Sequence, residues 1–581
     1  MRSSRFVGIL ITGAVLVAAS LYLRGGRDDA TSIEPVSAGG RIVAAIRSEP
    51  RSYNRLVELG QTGELINRLT QARLVRVNRA TFELEPWLAE RWESSDDGLR
   101  HTLHLRQGVA WSDGTPFTSA DVVFSLQAVH DPRVKSPLAA SLMAGGQPIR
   151  AEAPDPATVV MVYAAPSGPG IRLLDGLPIL PQHKLESALN DGTFADVWGP
   201  ATPPADLVGL GPFLVREYQP GQRMILERNP RYWRTAPDGR PLPYLDSIVL
   251  EVVLDQNAEL LRLQGGDLDL TSAELRPEDF VVVRRLEQQG ALRIVELGIG
   301  TDPDGFWFCL KPEVKQRDPR FAFLQKREFR QAISHAVDRE AFVETVFLGD
   351  GMPLWGPITR GNTRWFSPDV PRYPYDLDRA RQLLASIGLE DRNGNGVVED
   401  AAGTEARFTV ITQKGITYYE RGTTVLRDQA AMIGIALDIA PLEQGLLVDR
   451  LMACNYDAVY FRPLMSDLDP AGNLDLWLSS GGSHLWNMKQ ETPATGWEAQ
   501  MDELMLEQAS TIDDDRRREL FNEVQRIWAE NAPALYFAAP RLYVAHSARL
   551  RGVVPAVQRP AVLWNADSLS VADAAARADE R

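Results

Sequence analysis

The sequence predicts an α/β protein built from more than one domain, and three observations carry that prediction. Its 581 residues exceed what one hydrophobic core organises, so two or three domains are expected. Segments with period-2 apolar alternation and segments with helical apolar spacing follow one another along most of the chain. The composition, 44% hydrophobic and 24% charged, is that of a globular chain.

The first element is an uncharged run from Phe6 to Leu23, "FVGILITGAVLVAASLYL", preceded by Arg2 and Arg5. At about 1.5 Å per residue it reaches roughly 27 Å, close to the thickness of a bilayer core. That length favours a retained membrane anchor over a cleaved signal peptide, although Val17-Ala18-Ala19 also fits a cleavage site. Either way the rest of the chain is exported to the periplasmic side. Residues 24–40 then read as a flexible tether. No later run spans a membrane, so membrane contact is expected through this segment only.

"RIVAAIRSEP" (41–50) reads as a buried strand ended by Pro50, and "ELINRLTQARLVRV" as a helix leading into a strand. "LRHTLHLRQGV" alternates apolar and polar positions, and "ATVVMVYA" (157–164) is a second β-rich run. Within 206–230, two strand patterns flank "QPGQ", which predicts a hairpin. "DSIVLEVVLD" (246–255) is another buried strand. "QNAELLRLQGGDLDL" gives a helix stopped at Gly265-Gly266, then a short strand.

From about residue 325 helices dominate. "REFRQAISHAVDREAFVETVF" carries Phe329, Ile333, Val337, Phe342 and Val346 near helical spacing. "DLDRARQLLASIGL" follows, then "TTVLRDQAAMIGIALDI" as helix, Gly434 and strand. In "DDDRRRELFNEVQRIWAEN", Leu520, Phe521, Val524, Ile527 and Trp528 share one face of an amphipathic helix. No internal repeat is found.

Several function classes are excluded. A net charge of −15 and a pI near 5.2 oppose general nucleic-acid binding, which needs a basic footprint. No P-loop, GxSxG elbow, GxGxxG or HExxH occurs. His101 and His104 lie three apart on a strand and so face opposite sides, where they cannot share a metal. His335 sits within a helical pattern, where packing or capping explains it better than catalysis.

Ser112-Asp113-Gly114, which looks like a catalytic tripeptide, reads as a turn; Thr118 and Asp121 pair as a capping box for the helix that follows. Asp391, Asn393, Asn395 and Gly396 fit positions 1, 3, 5 and 6 of an EF-hand loop, but position 12 is Ala402. A polar turn is therefore expected there, with Glu399 the available substitute acid. Cys309 and Cys454 are far apart with no CxxC, which leaves a disulfide or two buried thiols. The chain is expected to be no enzyme and to use neither cofactor nor metal.

"LAERWESSDDGLRHTLHLRQGVAWSDGTPFTSADVVFSLQAV" (88–129) resembles a segment of the large extracytoplasmic solute-binding proteins of ABC importers, family 5, which bind oligopeptides, dipeptides and nickel complexes. The resemblance continues in order through "GLGPFLVREYQPGQRMILERNPRYW", "LPYLDSIVLEVVLDQNAELLRLQGGDLDL", "FRQAISHAVDREAFVETVFLGDGMPLWGPI" and "YPYDLDRARQLLASIGL". The C-terminal "WEAQMDELMLEQASTIDDDRRRELFNEVQRIWAENAPALYF" completes it, and the match runs from about 41 to 565.

The resemblance implies a periplasmic-binding-protein type II-like fold, two lobes with a hinge plus an extra domain. Lobe I would combine 41–75, 208–304 and 535–572; the extra domain would span 76–207 and lobe II 305–534. It implies a monomer that captures oligo- or dipeptides in an interdomain cleft and delivers them to a membrane permease. A non-peptide solute (metal chelate, opine or oligosaccharide) and a sensory receptor of the same fold stay open as alternatives.

The resemblance also nominates binding residues. Within "YDAVYFRPLMSDLDPAGNLDLWLSSGGSHLWN" (456–487), Asp467 is the nearest match to an acid that holds a peptide's α-ammonium, at a spacing to Pro470 one residue shorter than usual. Asp469 belongs to the Asp-Pro pair, and Tyr460 lies in the same segment. Arg421 resembles an arginine that pairs with a dipeptide's C-terminal carboxylate. Phe306, Trp307 and Trp355 are nominated as apolar cleft walls, with core packing as the competing role of each. Cys309 stands where the family often has Asn.

Overall fold

The computed structural model describes residues 38–58, 60–271, 274–463 and 468–572. The apolar run 6–23, the tether as far as residue 37, and Asp467 lie outside the described residues. Among the described residues no helix is long and apolar enough to cross a membrane.

β1 (Arg41–Ile46) opens the first sheet, and α1 (Gln61–Thr70) packs beside it. A separate antiparallel sheet follows, made of β2 (Ala89–Ser94), β3 (Arg100–Leu105), β4 (Arg150–Asp155) and β5 (Thr158–Val162) in the order β2-β3-β5-β4. Between β3 and β4 runs α2 (Ser119–His130), capped as expected: Thr118 and Asp121 form a reciprocal capping box. The buried Asp121 also accepts Trp111 Nε1 at 3.3 Å and the Gln182 N–H at 3.0 Å. Asp113 contacts His183 Nε2 at 2.8 Å, so the Ser-Asp-Gly turn is spent on architecture.

The chain then returns to the first sheet with β6 (Phe213–Gln219) and β7 (Arg223–Arg228), joined at "QPGQ" with Gly221 at φ +73°. β8 (Ser247–Val252) completes the order β1-β8-β7-β6, with β8 parallel to β1. The "GLGPF" glycines have a packing reason. A Cβ at Gly211 would fall 2.4 Å from the Leu69 carbonyl at the end of α1, so only glycine permits that approach. One contiguous apolar core joins this sheet to the sheet of β2–β5.

The helix Gln256–Gly265 ends at Gly266 with φ +78°. The short strand expected after it contracts to bridges from Leu270 to Ala44 and His546. β9 (Leu292–Ile299) then leads across to β10 (Gly305–Phe308) in the second sheet.

The helical run 327–347 is two helices, α3 (Arg327–Ala336) and α4 (Arg339–Val346). Val337 is extended, and the Asp338 side chain accepts the Ala341 N–H at 3.1 Å to cap the second helix. After these come α5 (Leu377–Ser386), β11 (Arg407–Gln413), α6 (Thr417–Ala431), β12 (Ala436–Leu442) and β13 (Ala458–Phe461). α7 (Asp514–Asn531) buries Leu520, Phe521, Val524, Ile527 and Trp528.

β14 (Ala534–Tyr536) finishes the second sheet, ordered β12-β11-β13-β10-β14, and β15 (Ala538–Ser547) pairs antiparallel with β9. The chain therefore passes between sheets twice, between Ile299 and Gly305 and between Tyr536 and Ala538. The second sheet is covered on both faces. Phe306, Phe308 and Tyr460 join one apolar cluster, while Trp307, Cys309, Trp486 and Trp528 join another. Cys309 and Cys454 form a disulfide with Cα atoms 5.7 Å apart, the pairing an oxidising compartment permits.

A charged site where the two sheets meet

In open α/β sheets, ligands bind beyond the carboxyl ends of the strands. In the second sheet that edge is defined by β11 and β13, which run parallel, and by the start of the antiparallel β10, where Gly305 pairs with Phe461. The side chains there are charged or phenolic. Asp304, just before β10, is buried and takes Nε and Nη2 of Arg462 at 3.0 and 3.3 Å. The Arg462 N–H donates to Tyr419 Oη at 2.9 Å, and its guanidinium lies 5.6 Å from the Tyr418 ring centroid. Burial pushes the Asp304 carboxyl up against the opposing pull of Arg462. It also pushes the Tyr419 phenol well up, aided by Tyr418 and Asp304, and raises the Tyr418 phenol, so both stay neutral at ordinary pH.

Loops outside the second sheet add further charges. Arg559 reaches Asp302 at 3.1 Å and Glu274 at 3.5 Å. Burial raises the Glu274 carboxyl, but the guanidinium groups of Arg559, Arg462 and Arg47 and its own backbone overrule that and hold it below its ordinary value. One carboxylate thus senses arginines from three distant segments.

Arg421, on the first turns of α6, stands apart from the other guanidiniums. Its Nε and Nη2 are buried and make no hydrogen bond among the described residues, and Glu278 lies 3.5 Å away as a charge partner. A guanidinium withdrawn from water with free donors is costly unless a ligand supplies acceptors. Its planar fork suits a carboxylate. Tyr460 packs behind it, touching the space above Gly422, where a Cβ would fall 2.6 Å from the Tyr460 ring.

The other nominated residues are placed elsewhere. Phe306 and Trp307 point to opposite faces of β10 and are 0% exposed, sealed in the two apolar clusters. Tyr460 is 1% exposed and also belongs to a core. Asp469 is buried; it binds Arg517 Nη2 at 2.6 Å and the Ala471 N–H at 3.0 Å, capping a short turn. Trp355 lies near the second crossing, between Arg339 and Arg372 at 5.2 and 5.1 Å, with its Nε1 buried and unpartnered. Arg462, Asp304, Glu274 and Arg559 were not singled out from sequence. The available signal was a charged residue directly bounding each buried strand run, in "AVYFR" and "DGFWF".

Comparison with known proteins identifies the family. The family model described as bacterial extracellular solute-binding proteins, family 5, middle, matches residues 83–484. A probable ABC transporter-binding protein of Deinococcus radiodurans is 25% identical over 546 residues, spanning 90% of this chain and 91% of that protein. The oligopeptide-binding protein AppA of Bacillus subtilis is 26% identical over 525 residues, 88% of this chain and 89% of its own. The structure of AppA in complex with a nonapeptide superposes with a TM-score of 0.71 at 25% identity, covering 92% of this chain and all of that one. An ABC transporter substrate-binding protein, CtaP of Listeria monocytogenes, shares the fold with a TM-score of 0.76 at 23% identity over 92% of this chain. The chain belongs to the bacterial extracellular solute-binding proteins of family 5, a non-enzymatic solute-binding family with this mixed α/β fold.

Proposed function

We propose that this chain is the solute-binding component of an ABC importer, that its solute is a peptide, and that Arg421 holds the peptide's carboxylate. The observation that carries the reading is Arg421, whose Nε and Nη2 are buried without a hydrogen bond among the described residues, with the Glu278 carboxylate 3.5 Å from Nη2 as an ion pair only. The peptide complex of AppA, a relative spanning most of the chain, supports the ligand class. In this reading Asp467 receives the ligand's α-ammonium from the segment that follows β13. The cleft lies between a lobe of 41–75, 208–304 and 535–572 and a lobe of 305–534, with 76–207 as the added domain. The ligand stabilises the closed arrangement because it bonds to both lobes at once. The permease is the receiving partner, and the N-terminal apolar run keeps the protein at the membrane.

Native mass spectrometry of the protein purified from a bacterial periplasm, followed by denaturing release of what it carries, tests this. A released mixture of peptides is the expected result. Release of a sugar, an opine or a metal chelate in place of peptides would overturn the ligand class.

A further inference from the structure

We propose that residues 391–399 form a calcium site, remote from the ligand cleft. This loop joins α5 to β11. The Asp391 carboxylate accepts the N–H of Gly394 at 2.8 Å through Oδ1 and that of Gly396 at 3.0 Å through Oδ2. Asn393 Oδ1 accepts the Asn395 N–H at 2.9 Å, and Asn395 Oδ1 accepts the Val397 N–H at 2.8 Å. Gly394 and Gly396 are left-handed, at φ +75° and +85°. Successive side-chain-to-backbone turns at positions 1, 3 and 5 wind the chain as in the first half of an EF-hand loop. Asn395 Nδ2 donates to Glu405 Oε1 at 2.7 Å, which fixes the orientation of the amide.

A wound loop alone would be only a polar turn. Glu399 is the independent observation. It is 4% exposed, and its carboxylate is folded back onto the loop, with Oε1 accepting the Arg392 N–H at 2.9 Å. Its Oε2 is buried and has no partner among the described residues. A carboxylate oxygen held out of water with nothing to bond is costly, and a cation in the loop removes that cost. Glu399 thereby takes over the part that Ala402, at position 12, cannot play. Asp391, Asn393, Asn395, the Val397 carbonyl and Glu399 offer oxygens only, the donor set of a hard cation. Two carboxylates with two amides leave room for water ligands, and a flexible shell of that kind suits calcium rather than magnesium.

The place of the site gives it a purpose. The Glu399 backbone bridges both Glu390 and Glu405, the Val398 N–H donates to the Gly434 carbonyl at 2.9 Å, and the Ala406 N–H donates to the Val398 carbonyl at 2.8 Å. One ion would therefore pin α5, β11 and the turn between α6 and β12 together. The loop precedes the first residue of β11, whereas the ligand edge lies beyond its last, a separation of roughly 20 Å for a seven-residue strand. Extracellular calcium modules bind at roughly 0.1–1 mM.

The test is isothermal titration of the chelator-stripped protein with calcium chloride, paired with thermal unfolding. One saturable site in the sub-millimolar to millimolar range and a Tm rise of a few degrees are expected. Glu399→Gln and the exposed Asn393→Ala should each weaken calcium binding at least tenfold, while Arg421→Ala leaves it unchanged. The absence of saturable heat up to 10-fold above that range, an equal response to magnesium, or unchanged affinity in both loop variants would overturn the site without touching the peptide reading.

Discussion

Arg339 and Arg421 are both carried by helices that pack on the second sheet, yet their surroundings differ completely: Arg339 is 5% exposed, whereas the Arg421 side chain is 26% exposed with its Nε and Nη2 turned inward. Arg339, at the start of α4, gives Nε to the Leu354 carbonyl at 2.9 Å. It gives Nη1 to the carbonyls of Ser334 and Tyr373 at 3.0 and 3.1 Å. Nη2 goes to Ser334 Oγ and the Tyr536 carbonyl at 2.8 and 3.0 Å. Each of its five N–H groups has an acceptor, drawn from α3, Leu354 just before Trp355, the Tyr373 loop and β14 at the second crossing. Arg421 has the same fork and leaves Nε and Nη2 without a hydrogen bond among the described residues, the Glu278 carboxylate standing 3.5 Å from Nη2. A buried arginine whose donors are all consumed by its own chain is a fastener. One whose donors are buried and idle is a socket, because something else must complete it.

The largest effect on stability is therefore expected at the fastener. Arg339→Ala would strand carbonyls from four segments and open a cavity, costing on the order of 3–5 kcal/mol. Urea unfolding would show it as a lowered midpoint, and a cost below about 1 kcal/mol would break the contrast.

A smaller effect comes from the charge network where the two sheets meet. Because the folded Glu274 carboxyl is held below its ordinary value, its contribution is fully present above the unfolded value near 4.3. It is lost as pH falls through the folded value. Stability should accordingly be flat from this group between about pH 7 and 5 and fall on further acidification. Glu274→Gln should make that acid limb shallower, as read from unfolding midpoints measured along the pH series. An unchanged slope would remove Glu274 from the network.

The smallest stability change belongs to the socket. Arg421→Ala, which breaks no hydrogen bond among the described residues, should shift unfolding by less than about 0.5 kcal/mol.

The contrast also explains what the sequence could and could not disclose. β1, the "QPGQ" hairpin and the apolar face of α7 are local patterns, and each is found where periodicity and turn chemistry put it. The break at Val337 was hidden because apolar spacing continues through it, although Asp338 is a good N-cap residue. Phe306 and Trp307 were nominated for a cleft but belong to a central strand with neighbours on both sides, whose two faces are covered by packed cores. The Asp304–Arg462 pair joins residues 158 apart, and Arg559 meets Glu274 and Asp302 only because the chain crosses between sheets twice. No local pattern encodes such meetings. Arg421 was reached through family resemblance, and its idle donors became visible only in three dimensions.

The central claim is that Arg421 is completed by a ligand carboxylate. It is tested most directly by calorimetric titration of the wild-type protein and Arg421→Ala with a peptide recovered from the protein, resynthesised as free acid and as C-terminal amide. The account predicts that amidation weakens binding to the wild type by about 2–4 kcal/mol, roughly 30- to 1000-fold, and that Arg421→Ala binds both forms equally weakly. Equal affinity of the wild type for acid and amide would contradict it.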